Sequence, residues 1–391
     1  MNSQAKLMRN SGLDSLRSLM ICCVIALHAA MTYMAYVPQW WYVIDTRQSF
    51  VFTVLVVFLD TFPMSVLFFL AGYFVPISLE KKGLFRFITG KVIHLGIPWL
   101  CGMLCVVPFL AWASMHSVGL KHLTFYEIWN NFLFGPFYQQ GHYWFLGVLL
   151  CFMVLYALFQ KPLLKAFALF CHVIPKHAVP QCFAIASPFN PLLITFIIGT
   201  LGFAVSVSIL MPMDHWLNVQ KILYFQPARI LNYVALFLLG IHAKTKNWFT
   251  LEGWIPNISF WLFSSSLSIV LWLLWFFSPL SASLKDNQNV IYALCSSVLY
   301  NASAISITIL LTTCFTKFSH RLPHFLTLIA PQTYGIYWLH QIILLPLLAL
   351  FSYVPLPAGI LWGIAIIATV LISYKLTEKA KNRFSFIKRV I

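Results

Sequence analysis

Asp14, Arg17 and His28 stand in one long apolar stretch, Leu13 to Tyr36. At about 100° per residue Arg17 and His28 fall about 20° apart around a helix, and Asp14 about 40° from His28, so the three share a stripe. The stripe climbs about 16 Å from Arg17 to His28 and carries a titratable imidazole deep into whatever the helix crosses. A neutral imidazole in that position can serve as a general base or as a nucleophile. Asp14 and Arg17, one turn apart, can pair and fix the guanidinium at the helix mouth, or simply anchor the helix end.

Other polar residues recur where the surrounding sequence is apolar. Asp60 lies about 15 Å from the same edge from which His28 lies about 12 Å, close enough in depth for the two to meet. Two roles are open for it: orienting His28 or raising its basicity, or acting as a neutral carboxyl bonded to a neighbouring helix. Arg86, Lys91 and His94 precede Pro98. Lys91 and His94, three apart, share a helical face that either anchors the chain at a membrane surface or holds an anionic tail, with Arg17 contributing. His142-Tyr143-Trp144 opens a further apolar run, where Tyr and Trp fit an interfacial aromatic belt and also suit stacking on a sugar ring. Tyr334, Tyr337 and His340 lie in a late run, with Tyr337 and His340 on one face, and together these residues predict a polar shaft through a bundle.

The elements that must position these groups follow from composition. Of 391 residues 61% are hydrophobic and only 9% charged, and the mean hydropathy is positive, far from the composition of soluble domains. Runs long enough to cross a bilayer occur over 13–36, 50–79, 92–115, 142–160, 191–212, 228–243, 255–277, 290–315, 332–352 and 357–376. The expected fold is therefore all-α, ten transmembrane helices in one integral-membrane domain over 1–391. An even number of crossings puts both termini on one side. Twenty of the 25 Lys and Arg fall on that side, the exceptions being Arg47, Lys121, Lys221, Arg229 and Lys285. That asymmetry places both termini in the cytoplasm.

The +16 charge is thus topology, because no compact basic domain or aromatic-basic motif of a nucleic-acid binder is present. The first apolar run is too long for a cleaved signal and contains His28. Seven of the nine cysteines lie in apolar spans, where a thiol behaves as a small hydrophobe. Cys171, His172, His177 and Cys182 share a loop, but their spacing matches no standard zinc pattern, and no metal is expected.

The motifs taken together resemble a known family. Leu13-Asp14-Ser15-Leu16-Arg17 with His28 eleven residues after the arginine is similar to the opening of the membrane-bound acyltransferase 3 family. Phe68-Phe69-Leu70-Ala71-Gly72-Tyr73-Phe74, His142-Tyr143-Trp144-Phe145-Leu146, Phe237-Leu238-Leu239-Gly240 and Tyr334-Gly335-Ile336-Tyr337-Trp338-Leu339-His340 extend the likeness, in order, over nearly the whole chain.

The resemblance implies transfer of an acyl group, commonly acetyl or succinyl, from cytoplasmic acyl-CoA (acetyl-CoA or succinyl-CoA) to a hydroxyl of an extracytoplasmic glycan or cell-envelope polysaccharide, by a multi-pass protein of the cytoplasmic (inner) membrane. It makes His28 the catalytic residue, and the expected arrangement sets Asp60 beside it. Arg17, Lys91, His94 and Arg86 would engage the acyl-CoA, while His142, Trp144, Tyr337 and His340 would face the acceptor. The family's Arg-x-x-Arg pair before a proline falls on Lys91 and His94, a departure that loses the bidentate fork for phosphate. The short chain resembles compact members, including glucan-modifying O-succinyl- and O-acetyltransferases. The rival class is a secondary transporter or proton-coupled exporter of a small polar solute, with His28 and Asp60 as a proton relay. It would call for an inverted repeat or a matching pair of broken helices, neither of which the sequence shows. A lipid-sensing receptor or scaffold would need none of the buried titratable residues.

Overall fold

The computed structural model describes residues 2–36, 41–117, 124–133, 135, 138–173, 188–210, 212–286 and 289–390. The first span is α1 (Asn2–Met31). The second is split into α2 (Phe50–Leu59) and α3 (Pro63–Lys82). The third runs through α4 (Leu84–Lys91), a π turn Val92–Gly96, α5 (Ile97–Cys101), a π turn Gly102–Val106 and α6 (Val107–Ser117). After α7 (Phe125–Leu133), a 3-10 turn Gly141–Tyr143 leads into α8 (Trp144–Val173), and α9 (Phe189–Val205) is followed by the hairpin β1 (Leu217–Val219) and β2 (Leu223–Phe225). Then come α10 (Pro227–Thr245), α11 (Ile258–Phe276), α12 (Pro279–Asp286), α13 (Val290–Lys317), α14 (His324–Ile329), α15 (Thr333–Phe351), α16 (Ala358–Arg383) and α17 (Ser385–Val390).

Nine helical stretches among the described residues are long and apolar enough to cross a membrane. The chain is a multi-pass helical membrane protein. These nine match expected spans to within a few residues at most ends, with larger extensions where a short helix joins on. The expected sixth span, 228–243, is α10, which is long enough but more polar. Its Arg229 and Asn232 are buried, and the helix packs along α3 and α9. A helix shielded from lipid by its neighbours can carry such residues.

Two runs expected to be continuous are interrupted. The run 50–79 breaks at Asp60–Phe62 because Pro63, at the first turn of α3, cannot continue α2. At membrane depth such a break survives only where the freed backbone meets protein or a cavity, and Asp60, Pro63 and Met64 all line one. In the third span Pro98 and Pro108 remove two intrahelical donors. The carbonyl of His94, left without its usual partner, accepts from the Tyr334 hydroxyl at 2.6 Å. The carbonyl of Leu104 accepts from the Trp129 indole at 2.9 Å.

Two of the quoted motifs turn out to be packing devices. A Cβ on Gly72 would strike the Phe237 carbonyl, and one on Gly240 would strike the Phe69 carbonyl. The two glycines thus face each other's helices and let α3 and α10 touch backbone to backbone, the arrangement small residues provide in membrane bundles. In α13, Ser303, Thr308, Thr312 and Thr313 turn their hydroxyls back to their own helix carbonyls at 2.6–2.8 Å, which satisfies them without a partner helix.

Two loops are tied down firmly. Arg47 donates to the Phe351, Val354 and Leu356 carbonyls at the end of α15 and grips Asp45 through two side-chain bonds of 2.8 and 2.6 Å. Burial alone would raise the Asp45 carboxyl, but the hydrogen bonds and charge of Arg47 outweigh it and hold the group below its usual range. The hairpin turns at Gln220 and Lys221, both with positive φ, the pattern that a two-residue loop requires. Tyr138 and Gln140, just before α8, donate to the Lys221 and Ile222 carbonyls and so fasten the hairpin over that end of the bundle.

Candidate functional site

His28 does not face lipid. It lines a cavity of about 590 Å³ walled by Val24, Leu27 and Met31 of α1, by Val56 and Val57 of α2 and Asp60 just after it, and by aromatic residues of α8, α10 and the hairpin connection. Its imidazole lies edge to edge and nearly coplanar with that of His340 (centroids 5.2 Å apart, planes 10°), with the Trp41 ring near-parallel at 5.6 Å and 19°. Trp41 is itself fixed by donating to the Thr32 hydroxyl at 3.1 Å.

Hydrogen bonding orders the protons on this pair. His340 Nδ1 lies 2.5 Å from the Tyr337 carbonyl oxygen, which can only accept, so Nδ1 carries the hydrogen. In neutral His340 the other nitrogen, Nε2, then presents a lone pair, and it lies 3.0 Å from His28 Nδ1. His28 Nδ1 must therefore donate, and His28 Nε2 is left as the basic atom. The chain carbonyl–His340–His28 fixes the tautomer and orientation of this imidazole, as an orienting group would for a general base.

The expected pairing of Asp60 with His28 is not made. Asp60 is gripped by both terminal nitrogens of Arg229, at 2.7 and 2.5 Å. Arg229 is 5% exposed and lies over the Tyr300 ring at 5.4 Å. The reason is local: Asp60 caps the C-terminus of α2, where the helix dipole is negative and a carboxylate adds to it, so a buried cation is drawn there. Equal depth in the membrane brought Asp60 to the same cavity wall as His28, but it is Arg229 that satisfies it. Counted in the sequence only as a topological charge, Arg229 is thus a site residue that the spacing of the chain did not reveal.

Of the residues expected on the acceptor side, His142, Trp144 and Tyr337 line this cavity. Trp144 packs edge-on to Trp216 at 5.5 Å, and Trp216 is backed by Tyr224, stacked at 5.0 Å and 10°, so this side of the cavity is aromatic. His340 stands behind His28 and is fully buried. Trp41 and Trp216 were not singled out in the sequence. Both lie in connecting segments, where periodicity gives no signal.

A second cavity, of about 420 Å³, lies towards the other end of the same helices. Arg17 and Ile21 of α1, Phe74 and Ser78 of α3, Lys91 and His94, and Thr333 and Tyr334 of α15 form its wall. Arg17 pairs with Asp14 at 3.1 Å, as their spacing suggested. His94 is held from two sides: its Nδ1 lies 2.9 Å from the Val390 carbonyl of α17 and its own carbonyl receives Tyr334. Lys91 and His94 share the cavity face expected of them, whereas Arg86 is exposed on α4 and stands outside this wall.

The polar shaft expected from the sequence is two cavities that meet at a partition. Tyr337 belongs to both walls, and its hydroxyl donates to the His142 carbonyl. Among the described residues no group of three or more His, Cys, Asp or Glu is placed to hold a metal ion. The loop with Cys171, His172, His177 and Cys182 lies largely outside the described residues.

The fold is thus a polytopic helical bundle with two cavities that share Tyr337 and an oriented histidine, His28, on the wall of one. Comparison with known proteins gives the class: the family model described as "Acyltransferase domain" matches residues 10–378. The chain belongs to the acyltransferase 3 family and is, by class, a membrane acyltransferase. No curated protein and no solved structure matches it.

Proposed function

We propose that this protein moves an acetyl or succinyl group from acyl-CoA, bound at the Arg17 cavity, to a hydroxyl of an extracytoplasmic glycan presented in the His28 cavity. In this reading it spans the cytoplasmic (inner) membrane ten times with both termini in the cytoplasm. The observation that carries the proposal is the pair of cavities, entered from opposite ends of α1, α3, α8 and α15 and sharing Tyr337.

Arg17 and Lys91 would bind the nucleotide phosphates of the donor, the lysine as a point charge where a second arginine would have given a fork. Binding energy from that remote part positions the thioester at the partition. His28 Nε2 takes the proton of the acceptor hydroxyl as its oxygen attacks the thioester carbon. The carbon–sulfur bond then breaks, and the proton passes from His28 to the departing thiolate, so the products are an ester and CoA thiol. The aromatic wall of Trp144 and Trp216 suits the faces of a sugar ring.

A transporter would draw on the broken helix at Asp60–Phe62, and it predicts indifference to acyl-CoA. The test is thermal unfolding of the purified protein with and without acetyl-CoA or succinyl-CoA, joined to mass spectrometry of envelope glycans from cells with and without the protein. Stabilisation by acyl-CoA and loss of an acyl mass from glycans are expected. No stabilisation and unchanged glycans would overturn the proposal.

A further inference from the structure

His142 is the residue whose construction exceeds what lining a pocket requires. Its side chain is almost fully buried, yet neither ring nitrogen makes a hydrogen bond. Gln341 and the Trp338 carbonyl are the polar groups beside the ring. A buried imidazole left in that state costs about 1–3 kcal/mol for each unmet group, so a fold that keeps it there is holding it for a partner.

The backbone around it is fixed with unusual care. Gly141, at φ +51°, makes the turn that presents His142. Two phenols then lock the turn to α15 in reciprocal fashion: Tyr337 donates to the His142 carbonyl, and Tyr143 donates to the Trp338 carbonyl at 2.8 Å. The His142 ring consequently lies 4.4 Å from that of His340, edge to face, and 5.4 Å from that of Tyr337. It lines the His28 cavity at the partition where the second cavity ends. This is where a thioester coming from the Arg17 side would place its carbonyl if the acyl-transfer reading holds, a condition on which the following rests.

We infer that His142 is a catalytic hydrogen-bond donor, its ring N–H meeting the thioester carbonyl oxygen as that oxygen becomes an oxyanion. His28 and His142 then divide the work: His28 Nε2 receives the hydroxyl proton, while His142 keeps its own and stabilises the negative oxygen of the tetrahedral intermediate. The carbon–sulfur bond breaks, the oxygen returns to a carbonyl, and His142 ends as it began. A preorganised donor in a water-poor cavity is where such a bond contributes most, because the charge it meets exists only in the transition state.

The test uses the full chain in lipid nanodiscs, following CoA thiol release from acetyl-CoA or succinyl-CoA in the presence of an envelope-glycan fraction. His142→Leu should lower kcat about 10²–10³-fold, the usual cost of one lost oxyanion donor, with the KM for acyl-CoA and the thermal stabilisation by acyl-CoA unchanged. His142→Asn and His142→Gln keep an N–H at comparable reach and should retain most of the rate. Retained stabilisation by acyl-CoA shows that each variant is folded, and if His142→Leu fails that check the Asn and Gln variants decide. A wild-type kcat in His142→Leu overturns the inference, as does an equal collapse of kcat in folded Asn and Gln variants. Absence of acyl-CoA-dependent thiol release in the unmutated protein would instead overturn the acyl-transfer reading itself.

Discussion

Replacing His340 by Phe tests the proton arrangement at the heart of the site. His340 is fully buried, and its Nε2 is the acceptor 3.0 Å from His28 Nδ1. Phenylalanine keeps a flat ring of similar size but removes that acceptor, leaving a buried N–H unmatched at a cost of about 1–3 kcal/mol. His28 escapes the cost by moving its hydrogen to Nε2, which takes the lone pair away from the reacting hydroxyl. At 1.36 kcal/mol for each factor of ten, kcat should fall about 5- to 150-fold. In the proposed function the donor would be held by Arg17 and Lys91, in the other cavity, so its KM should not move. His340→Gln, whose side-chain carbonyl can accept from His28, should recover part of the loss. The assay is steady-state CoA thiol release in nanodiscs. A wild-type kcat in His340→Phe, or a loss seen only in KM, would refute the reasoning.

The remaining predictions concern the other parts of the structure. Lys91→Ala would remove the charge-assisted contact to phosphate that the proposed function assigns to it and should weaken acyl-CoA binding by about 1.5–3 kcal/mol without altering acceptor affinity; isothermal titration of the donor checks this, and the reverse order would mean the two cavities are exchanged. Gly240→Leu must push α10 away from the Phe69 carbonyl and should cost at least about 1–3 kcal/mol, read as a lower Tm. The Asp45–Arg47 pair stabilises the fold above the ordinary carboxylate pKa of about 3.9 and loses its contribution as pH falls through the depressed value. Tm should therefore drop at strongly acidic pH in the wild type and less steeply in Asp45→Asn; equal slopes would count against the pair.

Much of this site could be read from residue types because the bilayer penalises them. His28, Lys91, His94, Tyr337 and His340 were identified by their cost in lipid or by three-residue spacing, and each lies at a cavity or directly behind its wall. Azimuth was the missing quantity. Depth alone suggested Asp60 for His28, whereas the fold gives Asp60 to Arg229, 169 residues away, and gives His28 to His340, 312 residues away. The break before Pro63 was written in the sequence, since a proline at a helix start marks the end of the run before it; the apolar character of 50–79 hid it. Glycines 72 and 240 carried a packing role that only the helix pair reveals, and Trp41 lies in a connecting segment with no period to betray it.

The central claim is that His28 handles an acyl group delivered from the Arg17 cavity. A single-turnover experiment tests it most directly: labelled acyl-CoA and envelope glycan are mixed with wild-type protein or with His28→Ala, and label in the glycan is counted. The account predicts transfer by the wild type and none by His28→Ala, although that variant is still stabilised by acyl-CoA. Transfer by His28→Ala at the wild-type rate would contradict it.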